Sequence, residues 1–80
     1  MFIKLTSENK ERFTIHECNW VERDGVKVMW ECPKTGDVNS CVLDSGRDGE
    51  MDTSSSIPQE VYAEAWVMND NGQTIDRLRP

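Results

Sequence analysis

The chain has one histidine in 80 residues, no apolar run longer than four (Ala65 to Met68), and a single basic residue between positions 35 and 76. A lone histidine confines any Ser-His or Cys-His pair to His16. No serine carries the glycine pattern of a nucleophile elbow. The glycines at 25, 36, 46, 49 and 72 are isolated turn positions, so no phosphate-cradling loop is present. Short apolar runs exclude a membrane-spanning helix and the core of a signal peptide. Three cysteines are an odd number and too few for a disulfide framework. Paired carboxylates remain as a route to glycoside chemistry, but a chain of this length leaves little room for a substrate cleft beside a core. An enzyme is not expected, and no cofactor is implied.

What is present is acid. Fifteen Asp and Glu against nine Lys and Arg give a net charge of −6, which argues against direct binding to a nucleic-acid backbone. Residues 1 to 34 hold six acids and six bases and are neutral; residues 35 to 76 hold nine acids and one base, Arg47, and carry −8. Acidic surface keeps a small protein soluble. It also steers encounter with a basic partner. Apolar residues make up 36% of the chain, six of them aromatic. That supports one thin core in a single domain, 1–80, burying roughly 60% of the unfolded surface.

β signals dominate the chain. Phe2 to Thr6 reads as a first strand. Arg12 to Glu22 and Val26 to Cys32 are rich in β-branched and aromatic residues and are separated by Asp24-Gly25, a hairpin signal. A three-residue loop there pairs Trp20 with Trp30 and Cys18 with Cys32; an even-numbered loop pairs Val21 with Val28. Val38 to Leu43 is a further strand, and Ser45 to Ser56 reads as an exposed loop. The segment 57–68 has two readings. As a helix it has Ser56 at the N-cap, Pro58 in the first turn, Gln59 three residues on, and an Ile57–Val61–Ala65–Met68 stripe. As a strand it runs from Val61 to Met68 and returns through Asn71-Gly72 to Arg79, with Met68 facing Ile75, Trp66 facing Arg77 and Glu64 facing Arg79. The hairpin is favoured. The expected fold is mainly β (β or α+β), a small antiparallel sheet of five or six strands, with one short helix over 57–68 as the alternative.

Two ion sites suggest themselves. His16, Cys18, Cys32 and Cys41 are the ligand types of a Cys3His zinc centre, but they lack the close pairs such a centre uses. Free Cys is commonly a small buried hydrophobe. Asp44, Asp48, Glu50 and Asp52 with Gly49 suggest a calcium loop, yet Gly46 and Ser55 occupy positions where ligands belong. Three Trp in 80 residues are more than a thin core needs, and Trp and Tyr favour binding hot spots. The candidate partner-binding set is therefore Asp44, Asp48, Glu50, Asp52, Glu60 and Glu64, with Tyr62 and Trp66 as exposed anchors.

The strand-like opening MFIKLT, the acidic balance, the single-domain length and the closing VMNDNGQTIDRLRP resemble small accessory proteins of bacteriophages and prophages. That resemblance implies a viral protein that binds and blocks a host enzyme, as anti-CRISPR and other anti-defence inhibitors do. It carries over no individual residue. The expectation is a non-enzymatic inhibitor, a monomer or small homo-oligomer in the host cytoplasm, whose acidic face meets a basic surface of a host nucleic-acid-binding or defence protein. A virion or scaffold component and a zinc-stabilised module are the alternatives.

Overall fold

A computed structural model describing residues 1–80 contains nine strands. They are β1 Phe2–Thr6, β2 Phe13–Glu17, β3 Val21–Asp24, β4 Lys27–Glu31, β5 Val38–Leu43, β6 Met51–Asp52, β7 Gln59–Tyr62, β8 Glu64–Met68 and β9 Thr74–Leu78; a 3₁₀ turn spans Ser45–Arg47. The fold is mainly β, as the β-branched and aromatic segments and the turn signals between them implied. The strands form two sheets, however, and not one sheet of five or six. The first has order β2-β1-β8-β9 and is antiparallel; the second has order β3-β4-β5-β7-β6 and includes one parallel pair, β5 with β7.

The chain changes sheet twice, and both changes divide segments that read as continuous. Arg12 to Glu22 breaks after Glu17, so β2 belongs to the first sheet and β3 to the second. The segment 57–68 is not a helix. It breaks at Ala63, which is buried and donates its N–H to the Thr6 carbonyl at 2.9 Å. β7 on one side joins the second sheet, and β8 on the other joins the first. A small side chain fits a corner where strands switch layers.

Between the layers, Ile3, Leu5, Ala65, Val67 and Leu78 from the first sheet meet Val28, Trp30, Cys41, Leu43 and Tyr62 from the second. Period-two alternation on β1, β4 and β5 supplies most of this set.

Both hairpin registers differ from their expected forms. β3 and β4 are joined by Gly25-Val26, which pairs Val21 with Trp30 and Asp24 with Lys27. The loop is even-numbered but lies one residue beyond Asp24-Gly25. Gly25 at φ +60° takes the first central position, where a type II′ turn needs a positive φ. In the β8–β9 hairpin, Trp66 does face Arg77, but Met68 faces Thr74 because a bulge intervenes. The turn is longer than Asn71-Gly72: Asn69 N–H donates to Gln73 O and Gly72 N–H to Asn69 O. The Asn69 side chain accepts from the N–H groups of Asn71 and Gln73, which explains why this loop outcompetes the tighter one.

Candidate functional site

The 44–52 acids are not a free anionic face. Asp44 Oδ1 accepts from Gly46 N–H at 3.0 Å and so caps the 3₁₀ turn. Arg47 reaches Asp44 at 4.0 Å and Asp52 at 3.6 Å. Asp52 also accepts from the Ser54 hydroxyl and N–H, which hold its carboxyl below the usual range. Asp48 is bound by Arg12 at 2.7 Å and by Glu8 N–H at 2.9 Å. Glu64 is buried, 2.8 Å from Arg77 and 3.6 Å from Arg79. Among the six candidate acids, only Glu50 and Glu60 lack an ion-pair partner.

The two aromatic anchors are also separated. Tyr62 is 2% exposed and belongs to the core. Its ring lies under Arg12 at 4.2 Å, and its hydroxyl donates to Glu60 at 2.6 Å. Burial first, and this bond second, push the Tyr62 phenol up. Trp66 is half-buried on β8 between inward-facing Ala65 and Val67, so it lies on the outer surface of the first sheet with Arg77 at 4.5 Å and Lys10 at 5.6 Å.

The zinc set is dispersed. Cys18 is buried at the first sheet change, Cys41 is buried on β5, and Cys32 is half-buried beyond β4. His16 stacks on Trp30 with ring centroids 5.3 Å apart. No three His, Cys, Asp or Glu side chains converge on a metal-sized point. Burial, reinforced by nearby Glu60, pushes the Cys41 thiol up to about 12, so it is a poor nucleophile.

The sequence pattern missed the largest concavity. An open cleft of about 690 Å³ lies between β2 and the β5–β7–β6 side of the second sheet. Thr14 and His16 form one wall, Trp30, Cys41 and Tyr62 part of the floor, and Val38, Met51 and Ile57 line it as well. Those last three are 55%, 51% and 73% exposed. Eighty residues do leave room for a cleft, because the two sheets fail to close along β2. One signal was present: Met51 and Ile57 are isolated apolar residues inside or beside a polar Ser/Gly/Asp stretch, where no core is available to claim them. Polar side chains line the cleft as well, among them Lys27, Asn39, Ser55 and Gln59. His16 Nε2 is 3.2 Å from Thr14 Oγ1, Ser40 donates to Gln59, and Glu60 holds the Tyr62 hydroxyl.

No protein-family model matches the chain, and no curated protein or solved structure matches it either.

Proposed function

We propose that this chain is a small non-enzymatic binding protein, of the phage-inhibitor kind, that attaches to a basic host protein through the cleft between its sheets. The observation that carries this reading is the exposure of Val38, Met51 and Ile57 around one concavity that also holds Glu60, a carboxylate with no ion-pair partner. A cleft that combines exposed apolar side chains with polar and charged ones has the anatomy of a recognition site: apolar groups give affinity, and the charges steer encounter. The acidic loop contributes less than its composition implies, because Arg12 and Arg47 occupy three of its carboxylates. A nucleic-acid-binding or defence protein of the host is the partner class, and the host cytoplasm is the place of action. No helix of the chain is long and apolar enough to cross a membrane.

The test is affinity capture from bacterial lysate at low and high salt, comparing the native chain with Ile57→Ser and with a Glu50→Gln/Glu60→Gln double variant. The native chain should retain a host protein that Ile57→Ser loses, and the double variant should retain it less at low salt. The reading fails if both variants capture the same protein in the same amount.

A further inference from the structure

The two sheets expose four edge strands: β2 and β9 in the first, β3 and β6 in the second. Folded proteins guard such edges with shortness, charge, bulges or proline. β6 has two residues, three of the four in β3 (Val-Glu-Arg-Asp) are charged, and β9 carries a bulge and runs towards Pro80. β2, Phe-Thr-Ile-His-Glu, is five residues long with no bulge, lysine or proline.

Its pairing with β1 determines which backbone groups are free. Ser7 N–H donates to Arg12 O at one end of the ladder, and Cys18 N–H donates to Met1 O at the other. Hydrogen-bonded and non-hydrogen-bonded pairs alternate in an antiparallel ladder. Thr14 and His16 therefore turn their backbone groups towards β1, whereas Phe13, Ile15 and Glu17 turn theirs outward. Those three residues pair with Thr6, Lys4 and Phe2 in the register. The outward row stands at the mouth of the cleft, since Thr14 and His16 of the same strand line it.

We propose that β2 receives an extended segment of a partner protein as a fifth strand of the first sheet. Alternate apolar side chains of that segment enter the cleft, and a Lys or Arg lies beside Glu60. This rests on the binding reading above and specifies its mode. A second copy of the chain is the poorer occupant. Self-pairing would present polar Thr14 and His16 of the second copy to Trp30 and Val38, where alternate apolar side chains fit better. Charge favours a Lys or Arg at the one position of the segment that meets Glu60, which pairs across the strands with Met51 and has no ion-pair partner, while Lys27 lines the same cleft elsewhere.

The test titrates the full ¹⁵N-labelled chain with the peptide acetyl-Lys-Thr-Val-Thr-Phe-Thr-Val-Lys-amide, to about 1 mM, a concentration suited to weak binding. Two further versions are methylated on alternate backbone nitrogens, one in each phase. Strand addition slows hydrogen exchange of the Phe13, Ile15 and Glu17 amides about tenfold or more. It also makes one methylated phase inactive and leaves the other active. Ile15→Pro removes only an outward N–H, as an edge strand tolerates, and should abolish peptide binding. Shifts at Trp30, Val38 and Met51 without protection on β2, or equal binding by both methylated peptides, overturn strand addition and leave the cleft reading standing. The absence of any shift overturns strand addition as well, while lysate capture tests the binding reading independently.

Discussion

Tyr62 donates its hydroxyl to Glu60 at 2.6 Å, two residues back on β7, while the Arg12 guanidinium lies 4.2 Å over its ring. A buried phenol is thus linked to an exposed carboxylate at the cleft. Both burial and the carboxylate favour the protonated phenol, so its pKa is raised on folding.

Alkaline stability follows from that shift. An acid whose pKa is higher in the folded state binds more protons there, so stability falls as pH rises past the unfolded value. Cys41, raised from 9.0 to about 12 by burial, acts in the same direction and from a lower pH. Denaturant midpoints should be flat through neutral pH, decline above about pH 9, and decline less in Cys41→Ala. Glu60→Gln should lower the Tyr62 pKa in an ultraviolet titration. A midpoint unchanged up to pH 11 would contradict both assignments.

The three thiols should react unequally. Cys32 is half-exposed, and hydrogen bonds from the Thr35 side chain first, then from the Thr35 and Lys34 backbone, lower its pKa. Cys18 and Cys41 are buried and raised by that burial. Thiolate is the reactive form. Ellman's reagent at neutral pH should therefore consume one thiol per chain rapidly and the other two only after denaturation, with Thr35→Ala slowing the fast phase. Equal rates for all three would refute this ordering.

Gly72 adopts φ +81° in the β8–β9 turn, with no heavy atom within 4 Å of where a Cβ would stand. The obstacle to a side chain there is backbone conformation alone. Gly72→Val should cost about 1 kcal/mol or more, whereas Gly72→Asn should cost less, since Asn tolerates this region. Chemical denaturation of the two variants measures the difference; equal costs would rule out a conformational cause.

The acids should separate into two groups by effect. Asp48→Asn removes the charge of the Arg12 ion pair and leaves one of the two oxygens that accept from Arg12 and Glu8 N–H; it should lower stability by up to about 1 kcal/mol, the range for partly exposed pairs. Glu50→Gln should leave the melting temperature unchanged and slow association with a basic partner at low salt, where charges act beyond roughly 8 Å. Surface plasmon resonance and thermal denaturation distinguish the two; a stability loss for Glu50→Gln would show that its carboxylate has a structural partner.

Local chemistry by itself determined the strand content, the break at Asp24-Gly25 and the facing of Trp66 and Arg77. Each depends on neighbours in sequence: alternation at period two, a glycine able to take positive φ, a short loop joining two strands. Tertiary structure decided the rest. Whether Arg12 to Glu22 was one strand or two depended on Glu17 pairing with Phe2 in one sheet while Val21 pairs with Trp30 in the other, a division of layers that no local window contains. Asp48 looked like one of four free acids until Arg12, 36 residues distant, reached it. Tyr62 looked like a surface anchor until two layers closed over it. The cleft was least legible, because a concavity is formed by what two sheets leave uncovered, and Val38, Met51 and Ile57 share it only through long-range packing.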